Sequence, residues 1–254
     1  MSTKMWSRWD TFTLYLLVAP ALILWVLFSL YPSLGNFYYC FFRTNGVPGT
    51  PVEFVGLQNF AWALSVDLEY TVNALLNGFR FVLMVAIPQN ILALLIAVLV
   101  GRNLRGKELY RAIFFFPQVV GSMVIAMVWS LLLQPNGPIN ELFRAIGYPS
   151  MAKVWLGDVT WSFFAVSAVQ IWVSTGYAMV IYIAGLQGIP DEIYEAAVLD
   201  GANSWQRFWR ITLPLLMPAV TINTLLSVTG CLGLFDMPYL LTQGGPLHTT
   251  ETMP

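Results

Sequence analysis

Gln170, Ser174 and Tyr177 interrupt an otherwise apolar stretch at i, i+4 and i+7, the spacing of one helix face. Thr224, Ser227 and Cys231 repeat the pattern at i, i+3 and i+7 in a second apolar stretch. A polar group that faces lipid is costly, so such faces turn toward each other or toward water. Hydroxyls, an amide and an aromatic ring suit a neutral polyhydroxy ligand, whose hydroxyls and apolar ring faces they match. The same groups also hydrogen-bond one helix to its neighbour, and spacing leaves both readings open. Asp236 is the one acidic residue near the end of an apolar stretch, placed to bind a hydroxyl, relay a proton or meet a cation. It has no second titratable group at a working distance within any such stretch, so no catalytic residue is assigned. One histidine, His248, and two distant cysteines, Cys40 and Cys231, supply neither a metal cluster nor a disulfide framework.

The elements that carry these residues follow from composition. Of 254 residues, 57% are hydrophobic and 10% charged, far from the quarter charged that soluble domains carry. The expected class is an integral membrane protein, and a net charge of -1 excludes a nucleic-acid footprint. About 20 apolar residues cross a bilayer as a helix. Five stretches qualify: Thr11–Tyr31, Phe79–Val100, Ile113–Leu133, Trp161–Leu186 and Ala219–Leu241. No small-residue cleavage site follows the first, which reads as an anchor rather than a removed signal. The expected fold is therefore all-α, a polytopic bundle of five spans in one transmembrane domain over residues 1–254.

Charge orients it. Lys4, Arg8, Arg102, Arg105, Lys107, Arg111, Arg207 and Arg210 share one side, against Arg43, Arg144 and Lys153 on the other, with Arg80 at the outer mouth of the second span. The positive-inside rule puts the N-terminus and the loop around Glu195 in the cytoplasm. Residues from about 32 to 77 then lie outside, with turn signals at Asn45-Gly46 and Pro48-Gly49, a strand or two near Val52, Phe54 and Val55, and a short helix over Leu57–Leu64. Pro135–Asp158 is external too, with a helix over Ile139–Ile146. Pro88 and Pro117 fall inside spans, where a kink is expected.

Between the last two spans lies a polar interruption, about residues 187–214. Pro190, Asp191 and Glu192 suit a helix start, and Gly201 suits the left-handed position that ends it. Asn203 or Ser204 can cap a second helix, which is expected to stop at Pro214. Glu195, Ala196, Ala197, Gly201, Ile211, Leu213 and Pro214 match the pattern E-A-A-x3-G-x9-I-x-L-P in full. That pattern resembles the cytoplasmic loop of binding-protein-dependent ABC importer permeases. Arg111 to Pro117, RAIFFFP, is similar to the third span of the larger-type permease half in maltose-type sugar importers. So is Phe235-Asp236 with Tyr239 and the Gly244-Gly245-Pro246 turn.

The resemblance implies a bacterial inner-membrane permease that pairs with a second permease, two ATPase subunits carrying ATP and Mg, and an extracytoplasmic solute-binding protein. It implies that the Glu195 loop couples to an ATPase, and that Gln170, Ser174, Tyr177, Ser227 and Cys231 fall at sugar-contacting positions. Family members carry an amide where Cys231 stands. Asp236 is expected to line the path or support it. The chain itself has no G-x4-G-K-[ST] motif and no cofactor of its own is expected, so ATP hydrolysis by that route belongs to another polypeptide. Neither polar-faced span holds a Lys or Arg, which favours a neutral sugar over glycerol phosphate. Family members have a sixth span after the Gly-Gly-Pro turn, and a truncated or incompletely represented protein is expected here.

Overall fold

The computed structural model describes residues 8–44, 47, 50–101 and 106–253. Lys4, Arg102 and Arg105, and the turn signals Asn45-Gly46 and Pro48-Gly49, lie outside the described residues. The chain divides into two compact units, Met1–Leu68 and Glu69–Pro254.

In the first unit α1 (Arg8–Trp25) passes through a π-helical turn, Val26–Leu30, into α2 (Tyr31–Tyr39). The helix thus outruns the expected end at Tyr31. Two short antiparallel strands follow, β1 (Phe42–Arg43) and β2 (Glu53–Phe54), paired Phe42 to Phe54. α3 (Gln58–Ala63) closes the unit, with Asn59 Nδ2 donating to the carbonyls of Cys40 and Phe42 at 2.8 and 3.0 Å.

α4 (Leu68–Phe81), all but its first residue in the second unit, runs through a π turn at Val82–Ala86 into α5 (Ile87–Gly101). Then come α6 (Lys107–Val119), α7 (Ser122–Leu132), α8 (Pro138–Ala145) and α9 (Trp161–Gln187). The chain ends with α10 (Asp191–Leu199), α11 (Ser204–Arg207), α12 (Leu213–Leu232) and α13 (Asp236–Thr242). Among the described residues, Tyr15–Tyr39, Leu68–Val100, Trp161–Gln187 and Ser204–Leu232 are each long and apolar enough to cross a membrane. α6 and α7 make a fifth span if taken together, bent by 96°. The fold is all-α and polytopic.

Three further boundaries differ from expectation. The third apolar stretch is not one helix, because Val120 and Gly121 are extended (ψ 132° and 140°) and break it into α6 and α7. Pro117 sits inside α6 without ending it. The helix does not stop at Pro214 either, since a π turn at Phe208–Thr212 joins α11 to α12. Proline lacks an N–H and its ring crowds the carbonyl four residues back, and a widened turn relieves both. The same device recurs. π turns end at Leu30, Ala86 and Thr212, each two residues before Pro32, Pro88 or Pro214. Finally, the fifth span ends at Leu232, and Leu234–Leu241 is not its continuation. A break at Gly233 redirects the chain into α13.

Two apolar clusters hold the second unit together. One packs Phe81, Val85, Ile125, Val166, Val169, Cys231 and Met237. The other joins α5, α9 and α12 through Ala93, Ala97, Ala178, Met179, Tyr182, Leu216 and Ala219. Small residues dominate the second because lipid offers helices no hydrophobic drive to associate, and close backbone approach supplies dispersion instead.

Candidate functional site

The polar interruption folds into a helical hairpin. α10 starts after Pro190, with Asp191 and Glu192 in its first turn. Its end is a Schellman motif: Ala202 N–H donates to Ala197 O at 2.9 Å and Gly201 N–H to Val198 O at 3.0 Å, with Gly201 at φ 80°. Asn203, not Ser204, then caps α11 through a capping box. Gln206 N–H donates to Asn203 Oδ1 at 2.8 Å, and Asn203 N–H to Gln206 Oε1 at 3.0 Å. The two devices abut, the first ending on Ala202 and the second starting at Asn203, so the angle between helices is set by local bonds.

The hairpin is anchored on one side and bare on the other. Tyr194 is buried, its hydroxyl 3.1 Å from Thr212 Oγ1, and Ala197 is buried beside it. Glu195, Ala196 and Val198 face outward, and Leu199 is 89% exposed. Ile211 and Leu213 are half-buried, whereas Pro214 is exposed. A cavity of about 800 Å³ opens beside α10, lined by Lys107, Gln187, Asp191, Glu195, Leu199 and Arg207 among others.

The second set of residues lies within the spans. Ser174 on α9 and Ser227 on α12 are drawn together by a third element, α5. Ser174 Oγ donates to Gln89 Oε1 at 2.8 Å, and Gln89 Nε2 donates to Ser227 Oγ at 3.2 Å. Asn90 Nδ2 also reaches Ser227 Oγ, at 2.9 Å, while Tyr182 OH donates to Asn90 Oδ1 at 2.8 Å. Nearby, the buried Asn223 amide donates to Ala178 O at 2.9 Å.

The other residues picked from spacing lie elsewhere. Tyr177 is 45% exposed, and Gln170 is half-buried with its carbonyl accepting from Ser174. Cys231 is buried in the apolar cluster of Phe81 and Val85. Asp236 stands exposed at the start of α13, where Ser122 Oγ at the start of α7 donates to it at 3.4 Å. Both helix breaks therefore meet at this pair. Gln89 and Asn90 escaped the spacing argument because it considered only the fourth and fifth spans. Their signal was available: two amides beside Pro88 in an apolar run.

A helical membrane protein with broken spans and one polar hairpin between its last two long helices defines a transporter-like class. Residues 89–253 match the family described as binding-protein-dependent transport system inner membrane component, and the chain belongs to it. It is 33% identical over 242 residues to a probable ABC transporter permease protein, YurN, of Bacillus subtilis, covering 94% of this chain and 82% of the relative. The trehalose/maltose transport system permease protein MalF of Thermococcus litoralis is 33% identical over 241 residues, 94% of this chain and 80% of the relative. The sn-glycerol-3-phosphate permease protein UgpA of Agrobacterium fabrum is 35% identical over 246 residues, with 94% and 80% coverage. The crystal structure of a bacterial ABC transporter that imports the acidic polysaccharide alginate aligns with TM-score 0.77 at 22% identity, over 95% of this chain and 80% of that one. At that identity the likeness is one of fold.

Proposed function

We propose that the chain is a permease subunit of an ATP-driven sugar importer in the bacterial inner membrane, and that it lines part of the path for a neutral mono- to oligosaccharide. The observation that carries the reading is the hairpin from α10 to α11. A leucine as exposed as Leu199, beside Val198, Ala196 and Glu195 on a locally locked helix, is a surface built to be covered. An ATPase subunit carrying ATP and Mg would cover it, and Glu195, Ala196, Ala197, Gly201, Ile211, Leu213 and Pro214 would form the coupling element. The N-terminus and the hairpin are then cytoplasmic, the region of about residues 32–77 faces out, and a second permease, a second ATPase and an extracytoplasmic binding protein complete the assembly.

The solute class rests on the spans. Gln170, Ser174, Tyr177, Ser227, Cys231 and Asp236 are the proposed path residues on sequence grounds, and Tyr177 is exposed on α9 whereas Gln170 and Ser174 are half-buried. The chemistry there is hydroxyl, amide and ring, with neither Lys nor Arg on α9 or α12. Trehalose or maltose transport by one relative agrees with this, and glycerol 3-phosphate transport by another is the competing case. The test is purification of the chain from its native membrane, followed by uptake assays on the recovered complex in liposomes. Co-purification of an ATPase, with ATP-dependent uptake of a neutral disaccharide, is expected. Recovery without an ATPase would overturn the importer reading, and ATP-dependent uptake of glycerol 3-phosphate alone would overturn the sugar.

A further inference from the structure

Gln89 and Asn90 stand on α5, a span that the path proposed above does not use. Gln89 is 5% exposed, yet its amide bridges the two hydroxyls that belong to different spans. Its Oε1 accepts from Ser174 at 2.8 Å, and its Nε2 donates to Ser227 at 3.2 Å. Asn90 donates to the same Ser227 oxygen at 2.9 Å and takes the Tyr182 hydroxyl proton at 2.8 Å. Ser227 Oγ therefore accepts twice, while its own proton enters no described bond. Such side chains inside an apolar span are expensive unless paired, and removing one partner costs more than the bond itself contributed.

That closure has a consequence for any motion that parts α9 from α12. Gln89 would lose Ser174 or Ser227, according to which helix α5 follows, and one polar atom of its amide would be left without its partner, while Ser174 keeps the bond to Gln170 O of its own helix at 2.6 Å. A polyhydroxy molecule replaces such bonds with its own hydroxyls, which both donate and accept. An apolar molecule cannot replace them, and an anion would meet donors here but no cation. The geometry points to Gln89, with Asn90 beside it, as a solute-contacting residue that selects for neutral polyhydroxy solutes. This rests on the neutral-sugar reading, and it adds a third span to the walls of the path.

Saturation-transfer NMR on the full complex in lipid nanodiscs tests it, with maltose, trehalose and glycerol 3-phosphate as separate probes. Wild type is expected to transfer saturation to a disaccharide. Gln89→Met keeps the bulk but removes both polar atoms, and it should bind that disaccharide roughly tenfold more weakly or worse, the size of one buried polar contact. Gln89→Glu guards against a Met variant that fails to fold. Its carboxylate still accepts from both serine hydroxyls, so the helix tie survives while the amide donor is lost. A changed ranking of maltose against trehalose in Gln89→Glu is expected. Wild-type affinity and ranking in both variants would overturn the assignment and leave Gln89 a tie between helices. Wild type that saturates glycerol 3-phosphate alone, or none of the probes, would overturn the sugar reading and this inference with it.

Discussion

Gly176 of α9 lies directly against the main chain of Phe114 on α6. A Cβ on this glycine would overlap the Phe114 carbonyl oxygen and come within 2.8 Å of Phe115 Cα. The obstacle is backbone, which cannot swing aside as a side chain does. The crossing of α6 and α9 is therefore set by the absence of one methyl group. Gly176→Ala should force the helices apart, at a cost on the order of 1–3 kcal/mol or more. Gly230→Ala is the control, since nothing lies within 4 Å of a Cβ there. Thermal unfolding of the purified chain should show a clear drop for the first substitution only. Equal melting temperatures would mean that α6 and α9 do not cross this closely.

The hairpin makes a graded prediction at Gly201. Space is open around a Cβ at this position, so the φ of 80° is the whole steric objection. Gly201→Ala should cost roughly 1 kcal/mol or a little more. Gly201→Asp adds an anion next to Asp200 at the negative end of the α10 dipole, a further few tenths of a kcal/mol up to about 1 kcal/mol. Both variants should insert normally, because the spans are untouched. Uptake and ATPase retention at matched membrane abundance should fall slightly in the first and steeply in the second. Wild-type values in Gly201→Asp would reduce the hairpin to a connector.

Asn140 organises the segment between α7 and α9. It is 1% exposed, and its Nδ2 donates to the carbonyls of Gln134, Pro135 and Lys153 at 3.2, 3.2 and 2.7 Å. Its Oδ1 accepts from Lys153 N at 3.1 Å and Trp155 Nε1 at 2.8 Å. Asn140→Ala strands these partners, at about 1–3 kcal/mol for each group left buried and unpaired. Amide hydrogen exchange in residues 134–158 should accelerate sharply while α9 keeps its protection. Unchanged exchange in that segment would refute the role.

Asp158 supplies the acid sensitivity at the start of α9. Its carboxylate accepts the Trp161 and Thr160 amide protons, at 3.0 and 2.8 Å, and lies near Lys153. The Trp161 bond first, then the Thr160 bond, holds its pKa below the ordinary 3.8. A depressed folded pKa means that the contribution is complete above the unfolded value and disappears as pH falls through the folded one. Asp158→Asn should be less stable than wild type above about pH 3.8, with the gap closing at more acid pH. Melting temperatures of the two proteins across that range decide it, and a gap independent of pH would contradict the assignment.

What the sequence determined by itself was whatever is encoded locally. Runs of about 20 apolar residues announced the spans, since each must satisfy its own backbone bonds in lipid. The hairpin was legible for the same reason. Gly201 and the Asn203 to Gln206 box act within a few residues of chain, so their types and spacing suffice. Proline was legible only in part. A disturbance was expected at Pro88 and Pro117 and a stop at Pro214, but continuation through a π turn before Pro32, Pro88 and Pro214 depends on packing on both sides, which spacing does not contain. The break at Val120 and Gly121 and the turn at Gly233 escaped for that reason too.

Tertiary structure alone decided which polar residues meet. Ser174 and Ser227 sit on faces that the 3.6-residue period marks out, yet the period says nothing of which neighbour each face receives. That neighbour proved to be Gln89, 85 residues before Ser174 and 138 before Ser227. The same registers put Cys231 into a packed apolar cluster and left Tyr177 open. Helices that associate in lipid find their register through close contacts such as Gly176 on Phe114, and such contacts are set by shape across distant parts of the chain rather than by neighbours along it.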